Sequence, residues 1–285
     1  MSAKRLLLVH AHPDDESINN GATMAAYSAA GVEVTLVTCT RGEEGEVLIP
    51  ELAHLGAAHD DSLGERRMIE LANAMQILGV KDHRFLGGGF RKYRDSGMMG
   101  TESNTRSDVF WNADFSQAVS DLVQVIDEVR PQVMITYDEF GGYGHPDHIQ
   151  AHRVAMAAAK QSDWKIQKIY WNGTPKSVIA RAMEKLAEFG QTMFGSNSVE
   201  DVPWAKPDEQ ITSVVVAPDF SEAKANALRA HATQITEDGP FFALSNAMGP
   251  EVFGIEYYQL VHGQAHSPFD DSGRELDLFA GVSES

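Results

Sequence analysis

Short apolar runs alternate with longer stretches of helical periodicity along most of this chain, and that alternation limits the fold more than any other feature. Arg5–Val9, Glu33–Thr38, His83–Leu86, Val133–Tyr137 and Ile166–Trp171 have strand length and apolar character. Helical stretches separate or follow them: roughly Asn20–Ala30 before Gly31, Ser62–Leu78 before Gly79, Phe115–Val129 before Pro131, His148–Ala159, and Lys176–Phe189. In Phe115–Val129 the apolar residues Leu122, Val125, Ile126 and Val129 share one face. Such alternation predicts an α/β fold, a Rossmann-like and mainly parallel sheet with helices on both faces. With 285 residues and 43% apolar content, a single domain over 1–285 is expected, its core at about 4–189. Past Gly190 the pattern changes to a smaller, mixed C-terminal portion at about 190–262, with strands at Ile211–Ala217 and Phe253–Val261 and a helix at Ser221–Gln234. The polar tail, 263–285, is expected to be loosely packed or disordered.

In an open α/β sheet ligands bind beyond the carboxyl ends of the strands. Two of the apolar runs end there in clusters of metal-ligand residue types. The first run leads into His12-Pro13-Asp14-Asp15-Glu16, and Val133–Tyr137 leads towards Tyr143-Gly144-His145-Pro146-Asp147-His148. A hydrolytic zinc ion takes three His or carboxylate ligands and leaves a position open to water. The candidates are His12, Asp14, Asp15, His145, Asp147 and His148. Neighbouring side chains of an extended segment point opposite ways, so Asp14 and Asp15 cannot share one task. One can bind metal while the other faces water or fixes a partner. His12 and Asp15, three apart across a proline turn, can converge on one ion, and His148 would complete a His/Asp/His facial set. His152 is a rival, since it stands i+4 from His148 on the expected helix, but Ile149 occupies the place where a zincin carries Glu. Pro146 suits a first helical turn, with His145 at its mouth and His148 just inside. His10, His54, His59, His83, His231, His262 and His266 have no partner legible in the sequence. Two long connections, Thr40–Asp61 and Gly87–Asp114, follow expected strands and can fold over the same face.

Charge and cysteine content narrow the function classes. Lys and Arg total 23 against 41 Asp and Glu, a formal charge of −18. That balance argues against a nucleic-acid partner, whose phosphates need a basic face, and against an anionic membrane surface. Cys39 is the sole cysteine, so neither an intrachain disulfide nor a cysteine-rich zinc site can form. Lys4 and Arg5 precede too few apolar residues for a secretory segment, and no stretch reaches the length of a membrane span. A reducing cytoplasm is the expected location. The turn after the first strand has no G-x-G-x-x-G, which argues against a dinucleotide enzyme. A catalytically dead sugar-binding module would tolerate loss of Asp14 or His145, and both are present.

His12-Pro-Asp-Asp-Glu16 combined with Gly144-His-Pro-Asp-His148 resembles the zinc-dependent N-acetylglucosaminyl deacetylases, the LmbE-like or PIG-L-like family. More locally, Asp15–Gly21, Val37–Val47 and Arg94–Met98 look like the branch that removes acetyl from N-acetylglucosaminyl-inositol in mycothiol biosynthesis. The resemblance covers about residues 4–160 well, continues more loosely to about 261, and leaves out the tail. It implies a hydrolase with one zinc ion per chain, held by His12, Asp15 and His148, in a site that can also accept iron(II) in cells. It makes Asp14 the general base and His145 the general acid or the cation that stabilises the oxyanion, with Asp147 orienting it. Tyr143 would be a mobile donor to the oxyanion, in a loop with Gly141, Gly142 and Gly144. The substrate implied is a small amino-sugar inositol, its hydroxyls gripped by Glu46, Arg67 and Asp95, with Asn246 in the loop before the last strand closing the inositol side. The related mycothiol S-conjugate amidases carry Lys shortly after the acidic motif, where this chain has Ile18, Asn19 and Asn20. Oligomeric state is not legible in the sequence.

Overall fold

The computed structural model describes residues 3–88 and 93–283. Its elements, in chain order, are β1 (Arg5–His10), α1 (Asp15–Ala29), β2 (Glu33–Thr38), α2 (Leu63–Leu78), β3 (Asp82–Phe85), α3 (Phe115–Val129), β4 (Val133–Thr136), a single turn α4 (Gly141–Gly144), α5 (Pro146–Gln161), β5 (Lys168–Asn172), β6 (Thr174–Pro175), α6 (Lys176–Glu188), β7 (Ala205–Lys206), β8 (Ser213–Val216), α7 (Ser221–Ala230), α8 (Pro240–Met248) and β9 (Ile255–His262). Seven strands form one sheet in the order β3-β2-β1-β4-β5-β9-β8. The first five are mutually parallel; β9 runs antiparallel to both β5 and β8. β1 is an aliphatic run because both of its faces are covered, as parallel strands require. Leu6 and Leu8 pack with Met24 of α1 and Leu71 and Met75 of α2. Leu7 and Val9 point the other way, to Leu122 and Ile126 of α3 and Val154 of α5.

The expected α/β architecture is thus present, and most elements differ from expectation only at their ends. Three differences have physical causes. First, α1 begins at Asp15 rather than near Asn20. Its first turn is polar, yet Asp15, Glu16, Ser17 and Asn20 are all buried through hydrogen bonds, so apolar periodicity does not report it. Second, the mixed C-terminal portion builds onto the main sheet, which β9 and β8 extend beyond β5, and an additional helix, α8, begins at Pro240. Third, the tail is docked through its described residues. Leu278 and Phe279 join the core, and the fully buried Glu275 carboxylate meets Lys168 Nζ and accepts from the Tyr170 hydroxyl (2.6 Å) and the His266 N–H (2.8 Å). A buried ion pair assembled from residues 107 apart leaves no local sequence signal. The connection 87–114 is described except for residues 89–92.

Candidate metal centre and active site

β1 and β4 lie side by side at the sheet centre; β1 is followed by β2 on one side and β4 by β5 on the other. The crevice between their carboxyl ends is therefore the topological switch point, where open α/β sheets bind ligands. His12 and Asp15 follow β1, Tyr143–His148 follow β4, and Asp95 and Ser96 enter from the loop after β3. His12, Asp15, Asp95, His145, Asp147 and His148 are all buried.

Three donor atoms converge there. His12 Nδ1 lies 3.3 Å from Asp15 Oδ2 and 3.2 Å from His148 Nε2, and His148 Nε2 lies 3.4 Å from Asp15 Oδ2. A tetrahedral ion at about 2.0–2.1 Å from each donor would hold its ligands about 3.3–3.4 Å apart, so the triangle fits zinc. The opposite ring nitrogens confirm the orientation. His148 Nδ1–H donates to the Gly141 carbonyl (3.1 Å), and His12 Nε2 faces Asp147 Oδ2 (3.3 Å) and Asp95 Oδ1 (3.5 Å). In its neutral form each imidazole keeps its proton on that outer nitrogen, so the nitrogen that faces the other ring can offer a lone pair to a cation. These carboxylate and carbonyl partners are the outer supports that metal-bound histidines use. Burial alone would lower the His12 imidazole, but Asp95, Asp147 and Asp15 outweigh it and hold it well above its ordinary value. Against burial, His148 and His12 hold the Asp15 carboxyl well below the usual range.

Among the described residues two further groupings have donors within 4.8 Å of one another: His12 with His145 and His148, and His12 with Asp95 and Asp147. The first sets His145 at the rim of the same triangle. In the second, Asp95 and Asp147 face His12 Nε2, the ring nitrogen opposite the triangle, and are fixed by the Gly97 and Ser96 N–H groups, each at 2.8 Å. His152, the rival ligand, donates instead to the Tyr137 carbonyl (2.9 Å).

His145 caps α5: its Nδ1 accepts the Asp147 N–H (3.1 Å), which puts the proton of the neutral ring on Nε2. Burial first, and then His12 and His148, push this imidazole down to about 2. With Nδ1 occupied as the cap, the neutral ring presents its Nε2–H as a donor. Asp147 also differs from expectation. Its carboxylate supports His12 and bonds Ser96, and it meets His145 through its backbone N–H. Asp14 is held at φ 118°, a region that costs a non-glycine residue about 1–3 kcal/mol. Its N–H is fixed by Glu16 Oε2 (2.9 Å), and Arg67 Nη2 lies 3.1 Å from Asp14 Oδ2. Burial pushes the Asp14 carboxyl up to about 6 against the pull of Arg67. Tyr143 is 43% exposed, with its ring edge-on to His148 at 4.9 Å.

The expected substrate residues divide. Arg67 is buried, and its two terminal nitrogens donate to the Gly42 and Pro13 carbonyls and to Asp14. Asp95 sits behind His12, its oxygens accepting from Gly97 and Glu44, as a support for the site. Glu46 is exposed on the loop after β2. Asn246 lies on helix α8 and not in a loop, and its amide donates to the Glu237 carbonyl (2.9 Å) on the surface.

Sequence reasoning missed several contributors. The Tyr137 ring stacks on His148 (centroids 4.3 Å apart), and its hydroxyl donates to Asp15 Oδ2 (2.7 Å) while accepting the Ala11 N–H (2.8 Å). A polar-tipped residue closing an aliphatic run was its only signal. Ser96 left none. His10 and His231 do have partners, Asn20 at 2.7 Å and Glu16 at 2.8 Å, each far enough away in sequence to escape notice.

Comparison with known proteins agrees with this geometry. Residues 7–159 match the family model PIG-L, described as GlcNAc-PI de-N-acetylase. A 1D-myo-inositol 2-acetamido-2-deoxy-alpha-D-glucopyranoside deacetylase of Geodermatophilus obscurus is 56% identical, over 98% of each chain. One so named from Acidothermus cellulolyticus is 57% identical, over 98% of this chain and 95% of that one. The fold is shared with N,N'-diacetylchitobiose deacetylase from Pyrococcus horikoshii, at 20% identity and a TM-score of 0.55, covering 91% of this chain and 84% of that one. With both motif halves gathered at the switch point and full-length relatives above 50% identity, the chain belongs to the PIG-L family of de-N-acetylases.

Proposed function

We propose that this enzyme is a zinc-dependent N-deacetylase that hydrolyses the acetamide of 1D-myo-inositol 2-acetamido-2-deoxy-alpha-D-glucopyranoside, releasing acetate and the free amine, a step of mycothiol biosynthesis. The observation that carries the reading is the triangle of His12 Nδ1, Asp15 Oδ2 and His148 Nε2 at 3.2–3.4 Å, in a chain whose full-length relatives bear that substrate in their names. Those three side chains would hold the ion. Bound there, zinc supplies a Lewis acid for the amide oxygen and makes water acidic near neutral pH.

The remaining work falls to the chain. Asp14 takes a proton from the attacking water and returns one to the departing nitrogen, a task suited to a carboxyl lifted by burial. His145 Nε2–H donates to the amide oxygen as it gains charge. Tyr143, on its glycine-flanked turn, adds a second donor. Arg67 restrains the Asp14 carboxylate, and Glu46 at the rim faces the polyol. A reducing cytoplasm suits a chain whose one cysteine, Cys39, is buried.

Acetate release from this substrate, measured on protein that is stripped by a chelator and then reloaded with zinc, tests the reading. Activity should vanish and return. Asp14→Asn should keep its metal and lose about 10²–10⁴-fold in turnover. Chelator-resistant activity, or full turnover in that variant, would reject the assignment.

A further inference from the structure

The segment 190–208 has no counterpart in the mechanism above, yet it reaches the metal centre through one side chain. β7 pairs in parallel with β6, just past the carboxyl end of β5. This brings Lys206 over Gly173, where an added Cβ would lie 2.9 Å from Lys206 Cγ, so the glycine makes room for the lysine stem. Lys206 Nζ then forms an ion pair with Asp138, whose side chain is only 2% exposed. The other Asp138 oxygen accepts the Gly142 N–H (2.8 Å), and its carbonyl accepts the Gly141 N–H (3.0 Å). Gly142 sits at φ 74°, ψ −63°, a conformation that glycine adopts freely and other residues do not. Gly141 must approach closely: a Cβ there would lie 2.6 Å from His148 Cβ. This turn presents the Gly141 carbonyl to His148 Nδ1 and carries Tyr143.

We propose that Lys206 and Asp138 are positioning residues that hold the glycine turn 141–143 and, through it, the orientation of His148 and Tyr143. The inference rests on the metal reading above. Lys206 supplies the cation beside a buried carboxylate, and that carboxylate fixes the Gly142 amide in the turn. Support of this kind for a metal-bound histidine is worth about 10–100-fold in metal affinity.

The test uses the purified full-length chain, with zinc affinity measured by chelator competition, amide hydrogen exchange at Gly141 and Gly142 in metal-free protein, and kcat and KM. Lys206→Met should weaken zinc binding about 10–100-fold, speed exchange at both glycines and lower kcat, with KM changed less than about threefold. Lys206→Arg, which keeps the cation, should recover most of the loss. If Lys206→Met does not fold, two double variants decide. Lys206→Met with Asp138→Asn keeps an oxygen facing Gly142; Lys206→Met with Asp138→Ala does not. The first should bind zinc at least tenfold more tightly than the second and protect both amides. Equal zinc affinity and equal exchange in the two, or a Lys206→Met protein indistinguishable from wild type, would overturn the proposal. Wild-type protein that binds no zinc would instead defeat the functional reading, and the exchange data would still judge the turn.

Discussion

Replacing Asp147 with Asn separates two roles that the sequence alone leaves confused. The resemblance makes Asp147 the partner of His145, whereas the structure lays its carboxylate against His12 Nε2 at 3.3 Å and leaves His145 with the backbone N–H. Asn preserves shape and one oxygen, so the variant removes mainly the negative charge behind a metal ligand. Hydrogen bonds to charged groups contribute about 1.5–3 kcal/mol. At 3.3 Å this contact is long, so the lower half of that range applies, about 1.5–2 kcal/mol, or roughly 10–30-fold in zinc affinity. Competition against a fluorescent chelator at fixed pH measures it directly. At saturating zinc, turnover should recover to within a few-fold of wild type, because His145 keeps its contact. Wild-type zinc affinity combined with a kcat that saturating zinc does not rescue would refute the His12 assignment and restore His145 as the group Asp147 serves.

Other outcomes follow from the same structure. His148→Ala should abolish stoichiometric zinc binding while His152→Ala retains it, as metal analysis after gel filtration would report; the reverse would break the ligand set. Glu275→Gln leaves the buried Lys168 ammonium without its counter-charge, which should cost about 3–5 kcal/mol and lower the melting temperature by roughly 10 °C; an unchanged melting curve would mean the tail is not a structural element. His231 is raised: burial would lower it, but Glu16 outweighs burial. Its contribution to stability is therefore complete below the unfolded histidine value and is lost as pH rises through the raised folded value. Denaturant titrations should show wild type losing stability as pH rises through that window and His231→Gln losing less; parallel curves would remove Glu16–His231 as the cause.

The parts of the fold that were legible in the sequence are those built on local pattern. Leu6–Val9 and Val133–Ile135 are buried on both faces, so their apolar runs mark them as central strands. Gly79, at φ 72°, stops α2 where a left-handed cap is needed. The two metal-ligand clusters were visible because each is contiguous and each follows a strand. What escaped was long-range and polar. Nothing in the sequence around Asp147 says that it turns towards His12, because that choice is made by Ser96 in another loop. The start of α1 was hidden for a related reason: its first turn is buried by hydrogen bonds and not by apolar contact. The tail read as solvent-loving because Glu275 looks like any surface glutamate until Lys168 and Tyr170 surround it.

The antiparallel return of β9 along β5, sealed by Glu275 on Lys168, also bears on how the enzyme is made. Every residue of the metal triangle emerges from the ribosome within the first 148 positions, yet the strand that covers the flank of β5 is translated more than a hundred residues later. A nascent chain therefore carries these candidate ligands long before the strand that flanks β5 has been made.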